Sequence, residues 1–229
     1  MRAVLLCLSL VLGSPAPAWC ADIVDVLVDS NSLRLQARTP AGADSERAAV
    51  VRATWERLLG VAAPAQAPEL RTVTGPLYAE AVMGRIVVAS EALADLTEGQ
   101  RLMMLAHELG HVVLGHWDAQ CRLYKRFIPG EVRPETTDPV AARLGAAAHV
   151  QSHRHEFEAD AYGYAIARRE GVDFASVMTL LMSLGAAQDS VTHPGTHRRV
   201  AHLRELNARA AEAADVQAAG PGEPPQAAE

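Results

Sequence analysis

The sequence predicts an α+β fold, predominantly helical, in which a small β-sheet precedes a central helix. Three observations carry this. Five segments space their apolar residues with a helical period, one compact group of short strand-like runs lies between residues 70 and 89, and a helix-start signal follows at Thr97. The 229 residues, 49% hydrophobic and 21% charged, suit one globular domain with short appendages. Aromatics are only 4%, so aliphatic residues must build the core.

Taken in order, residues 1–18 read as a secretory signal peptide. Arg2 supplies a basic start, Ala3–Leu12 an apolar stretch too short to span a bilayer, and Ala16-Pro17-Ala18 a small-x-small cleavage site. Residues 19–215 are expected to form the folded domain and 216–229 a disordered tail. No later segment reaches the length of a membrane span, so the mature protein is expected to be soluble and exported. Cys7 leaves with the signal. Cys20 and Cys121 remain and could pair in an oxidising compartment.

Residues 22–38 alternate weakly and suit either a strand or the lead-in to a helix. Ser45–Leu59 has helical spacing, with Gly60 as its stop. Leu70–Val73, Leu77–Val82 and Arg85–Ala89 read as strands, broken by Gly75-Pro76 and by Met83-Gly84. Thr97-x-x-Gln100 is a capping-box pattern ahead of an apolar run to Val113. Residues 118–140 are turn-rich and read as a long loop or irregular subdomain. A helix follows from about Val140 to Arg169, with a break near Ser152 and an end at Gly171. Phe174–Ala187 and Arg198–Ala214 are the last two helices.

Charge and histidine placement narrow the function. Twenty-seven acidic residues against 21 basic ones give a net charge of -6, which argues against a nucleic-acid binder. All nine histidines fall between His107 and His202. Within them stands His107-Glu108-Leu109-Gly110-His111. Residues i and i+4 share a helix face, so two imidazoles can grip one zinc ion while the glutamate reaches a water as general base. A catalytic zinc usually takes a third protein ligand. His116 lies five residues past His111, about 140° further round a continuous helix, which suits a supporting role better than ligation. The glycine and histidine spacing of a metzincin is not met, because Leu114 and Trp117 occupy those positions.

Glu156-Phe157-Glu158-Ala159-Asp160 offers the rest. Glu156 and Asp160 are i, i+4 partners, so one can ligate while the other hydrogen-bonds a liganding histidine and fixes its tautomer. Glu158 is expected to point elsewhere. Ala159, Ala161 and Ala165 would let this helix pack closely. His153 and His155 are rival ligands on what reads as a wet helix start. His193, held between Thr192 and Pro194, could approach a substrate carbonyl and stabilise an oxyanion.

HELGH, EFEAD 45 residues after the second histidine, and THPGTHRRV together resemble the M48 peptidases, zinc metalloproteases of the HtpX, Ste24 and Oma1 type. The resemblance covers roughly residues 45–206. It implies a zincin-like domain with one Zn2+ held by His107, His111 and Glu156, and Glu108 as catalytic acid/base. It further implies that Asp160 supports a ligand and that His193 and Arg199 lie near the active site. The chain departs from the family in lacking transmembrane segments and the helical repeat domain of some exported members, and in its own insert at 118–150. The implied function is an endopeptidase of exported, misfolded or envelope proteins, in the bacterial periplasm or secreted, with peripheral membrane contact open. The alternative is a zinc-bound chaperone or binding module on the same fold. The polypeptide substrate is expected to add as a strand along Arg85–Ala89.

Overall fold

A computed structural model describes residues 21–185 and 188–218. The proposed signal peptide, the Cys20 partner of Cys121 and most of the proposed tail lie outside the described residues. The described residues are mostly helical, with one three-stranded sheet. Its elements are α1 (Ile23–Gln36), α2 (Glu46–Ala62), β1 (Glu69–Val73), β2 (Ala79–Val82), β3 (Ile86–Ser90), α3 (Glu98–Val113), α4 (His116–Phe127), the single turn α5 (Pro134–Thr137), α6 (Ala141–Arg169), α7 (Phe174–Ser183) and α8 (Thr196–Ala218). Among the described residues, no helix is long and apolar enough to cross a membrane.

The sheet order is β1-β3-β2. β1 runs parallel to β3, with Glu69 opposite Ile86, and β2 runs antiparallel, with Ala79 opposite Ala89. Met83 and Gly84, both at positive φ, close the tight turn between β2 and β3. This turn geometry matches the right-handed twist of the strands it joins. The topology corrects one expectation. The strand formed by Ile86–Ser90 is the middle one, and both its edges are already paired. A peptide therefore cannot add along Arg85–Ala89; the sheet edge beside the HELGH helix belongs to β2.

α3 begins as the sequence predicts. Thr97 accepts from the Gln100 amide and Gln100 reaches back to the Thr97 amide, a complete capping box. Its apolar side chains divide between two cores. Leu102, Leu105, Ala106 and Leu109 pack with Val51, Trp55 and Leu58 of α2 and with Val87 and Ala89 of β3. Met103 faces Tyr164 of α6, Val177, Leu180 and Leu181 of α7, and Val200 and Leu203 of α8. Each fully buried leucine contributes about 1.5–3 kcal/mol, so the helix is clamped between the sheet side and the α6–α8 side. Val113, expected on the buried face, is 44% exposed at the helix end.

Several boundaries differ from the sequence reading. Residues 23–36 are helical, started by Asp22, whose side chain accepts from the Val24 amide. α2 continues through Gly60 and stops at Ala63, which takes the left-handed conformation instead. The stretch from 118 is mostly helix α4, and α6 runs through Ser152 without a break. α8 extends to Ala218, past the expected start of the tail.

The contact that sets the HELGH residues against the EFEAD residues is between α3 and α6. A Cβ on Gly163 would lie 2.9 Å from the His107 backbone nitrogen, and one on Gly110 would lie 3.2 Å from Tyr162. The two helices therefore meet backbone to backbone at Gly163 and backbone to side chain at Gly110. Of the three alanines expected to permit this, Ala159 is fully buried at the seam, Ala161 is half-buried and Ala165 is exposed. Gly163, which carries no local signature in the sequence, does most of it.

Candidate metal centre

α3 presents His107 and His111 one turn apart, and the α3–α6 seam brings Glu156 across to them. The two Nε2 atoms are 3.2 Å apart, with the rings nearly edge-on at 72°. Glu156 places Oε2 at 3.5 Å from His107 Nε2 and Oε1 at 3.4 Å from His111 Nε2. Three donor side chains thus face one small space. Glu156 Oε2 is buried and has no hydrogen-bond partner among the described residues. A buried carboxylate oxygen left unpaired is costly, and a cation among these donors would satisfy it. Two imidazoles and one carboxylate suit zinc.

The surroundings fix His107. Asp160, fully buried, places Oδ1 3.0 Å from His107 Nδ1, so the ring donates from Nδ1 and keeps Nε2 free for the shared space. Arg199 grips Asp160 with two hydrogen bonds, Nε to Oδ2 at 2.8 Å and Nη2 to Oδ1 at 2.6 Å, and its Nη1 lies 3.8 Å from Glu156. Burial opposes the Asp160 charge, but Arg199 and then His107 outweigh it and hold the carboxyl below its usual range. Burial likewise opposes charge on Glu156, and His107 and His111 hold it far below the carboxylate range. Burial also opposes a proton on His107, yet Asp160 and Glu156 together lift its pKa to about 10. The same field that draws a proton there favours a metal ion. Glu108, Glu156 and Asp160 against Arg199 leave two negative charges, which a divalent cation would balance.

Glu108 leaves α3 toward the sheet. Its Oε2 accepts from the Ala81 amide of β2 at 2.8 Å, so the carboxylate sits between the edge strand and the imidazole pair. His193 comes from the loop before α8, with Nε2 3.5 Å from Glu156 Oε1 and the side chain 57% exposed. The loop is held by Asp189, which accepts from the Gly195 amide at 2.7 Å and from Arg198 Nη1 at 2.7 Å, and by Ser190, which accepts from the His193 amide. Asp189 had no signature in the sequence beyond its place six residues before a glycine. An apolar cavity of about 280 Å3 opens between Glu108 and His193, walled by Met103, Met104, Leu180 and Leu181. A wider cleft of about 720 Å3 leads away past Ala79, Ala81 and His111.

The other histidines lie elsewhere. His153 and His155 are buried rather than wet. His153 Nε2 meets the Ser190 carbonyl at 2.9 Å, and His155 stacks on His116 at 4.0 Å with the rings 1° from parallel. His116 is not on α3. Gly115, at φ +67°, ends that helix and starts α4, which returns His116 to His111 with their Nδ1 atoms 2.9 Å apart. His116 Nε2 lies 3.1 Å from Glu158 Oε2, so Glu158 faces this second group.

The structure of Ste24p from S. mikatae is similar at 15% identity with a TM-score of 0.46. The likeness covers 79% of this chain, which spans 56% of that protein's length. No curated protein matches the sequence. Residues 132–207 match peptidase family M48. That segment contains Glu156, Asp160, His193 and Arg199, and the HELGH residues precede it. The segment that matches this family model carries two of the three motifs by which the sequence resembles the M48 peptidases.

Proposed function

We propose that the protein is a zinc-dependent endopeptidase with a zincin-like active site, acting on exported polypeptides in the periplasm. The observation that carries this is the convergence of His107, His111 and Glu156, with its unpartnered buried oxygen, directly beside a glutamate that faces an edge strand. His107, His111 and Glu156 would hold the ion. Bound there, zinc supplies a Lewis acid that polarises the scissile carbonyl and makes water a better nucleophile at neutral pH.

The chain's own residues do the rest. An extended substrate adds beside β2, where the sheet edge supplies backbone hydrogen bonds and runs along the wider cleft. Ala81 holds Glu108 through its amide, so the carboxylate is aimed before substrate arrives. Glu108 takes a proton from the attacking water and delivers it to the leaving amine. His193 stands opposite and donates from Nε2 to the developing oxyanion; Thr192 Oγ1, 2.8 Å from its Nδ1, orients the ring. The apolar cavity beside Glu108 accepts one large apolar side chain next to the scissile bond. Asp160 and Arg199 hold His107 in place.

Glu108→Gln is expected to keep its zinc and lose hydrolysis of casein or a fluorogenic peptide by about 10²–10⁴-fold. Full turnover in that variant would remove Glu108 from the mechanism. Protection of an unfolded client by the variant, with no turnover by the wild type, would establish the chaperone reading instead.

A further inference from the structure

We propose that His116 and Glu158 form a proton-directing chain behind His111, which fixes the nitrogen that His111 turns to the metal pocket. This rests on the reading of His107, His111 and Glu156 as metal ligands. His111 Nδ1 and His116 Nδ1 face each other at 2.9 Å. Two ring nitrogens at that distance share one hydrogen, and either ring can own it. If His111 is to offer a bare Nε2 to a metal, its own proton sits on Nδ1 and is donated to His116. His116 then carries its single proton on Nε2, and that nitrogen meets Glu158 Oε2 at 3.1 Å, an acceptor only. The opposite order fails twice. With the proton on His116 Nδ1, His116 Nε2 would turn a lone pair toward a carboxylate. His111 would then point an N–H at His107 Nε2 and at the metal position.

The local fold serves this arrangement. On a continuous helix His116 would lie well round from His111; the left-handed turn at Gly115 brings it back. His155 stacks flat on His116 and holds its ring plane. Arg154 Nε lies 3.5 Å from Glu158 Oε1, on the other oxygen of the same carboxylate. Asp160 supports His107 directly, whereas Glu158 supports His111 through one intervening imidazole. His116 and Glu158 are thus positioning residues.

His116, His155 and Glu158 also bring three donor atoms close together. Parallel stacked rings, however, direct their lone pairs side by side rather than onto one point. An ion on His116 Nε2 would also displace the proton that the chain requires.

The test uses the full protein loaded with zinc and labelled with ¹⁵N-histidine. The expected imidazole spectrum shows His111 protonated at Nδ1 and His116 at Nε2. Glu158→Ala, at a side chain 46% exposed, is expected to weaken zinc binding about 10- to 100-fold in competition with a chelator. Glu158→Gln is expected to recover most of that loss, since its amide oxygen can still accept. A purely structural role would move neither the tautomer nor the rescue. His116 protonated at Nδ1 in protein holding one zinc ion overturns the chain and leaves the peptidase reading standing. Two zinc ions per chain, one lost in His155→Ala, also overturns it. Zinc binding unchanged in Glu156→Ala overturns both readings together.

Discussion

His107, His111 and Glu156 form one cluster, and His116, His155 and Glu158 form another beside it. Each has two imidazoles and one glutamate, and the His111–His116 hydrogen bond joins them. They answer positive charge in opposite ways. In the first, the rings stand edge-on, the carboxylate is buried, and Asp160 adds a second negative charge; His107 is lifted to about 10. In the second, the rings lie flat on each other and Glu158 is half in solvent. Burial, then repulsion from His111, presses His116 down to about 4, and burial, then His116, presses His155 to about 4. Donor types alone therefore do not mark a metal centre. What separates the two is the direction of the lone pairs and the balance between buried negative charge and desolvation.

The largest effect that would sharpen this contrast lies in the buried charges. Arg199→Leu leaves the buried Asp160 without its cation, held only by His107, and is expected to cost about 3–5 kcal/mol in urea denaturation. The matching change near the second cluster, Arg154→Leu, breaks an exposed pair and is expected to cost under about 1 kcal/mol. Equal losses would mean that the two clusters are not differently built. A smaller effect is expected at the seam. Gly163→Ala puts a methyl group 2.9 Å from the His107 backbone and should destabilise by about 1–3 kcal/mol. It should weaken zinc binding too, because it parts Glu156 from α3, while the His116–His155 stack between α4 and α6 persists.

The pH response should be opposite in sign for the two clusters. A histidine depressed to about 4 lets the unfolded chain bind more protons than the native one between about pH 6.5 and 4. Its stabilisation is complete above that window and is lost as pH falls through it. His107, raised to about 10, contributes fully below about pH 6.5 and loses that contribution as pH rises toward 10. Chelator-stripped protein should therefore lose stability from pH 6.5 to 4, and His155→Phe should lose it less steeply. An unchanged slope in that variant would show that His155 takes no part in the loss.

Much of this arrangement was legible in the sequence where the cause is local. The capping box at Thr97, the apolar stripe of α3, the i, i+4 pairing of His107 with His111 and the same-face spacing of Glu156 with Asp160 all depend on one helix at a time. What was hidden depends on partners. α1 buries only Ile23 fully and shows no strong apolar stripe, while α4 is amphipathic but short and polar on average, and merges with the turn-rich residues after it. The place of β3 in the middle of the sheet is a matter of non-local pairing. A signal did exist, since Ile86, Val87, Val88 and Ala89 are apolar at successive positions, as in a strand buried on both faces. Gly163 looks ordinary until α3 is laid against it, and Glu158 seems surplus until Gly115 turns α4 back.

The most direct test is zinc content after exhaustive dialysis, measured on the wild type, Glu156→Ala and His155→Ala. The account predicts one ion per chain in the wild type, its loss in Glu156→Ala and its retention in His155→Ala. Zinc kept by Glu156→Ala, or lost from His155→Ala alone, would contradict it.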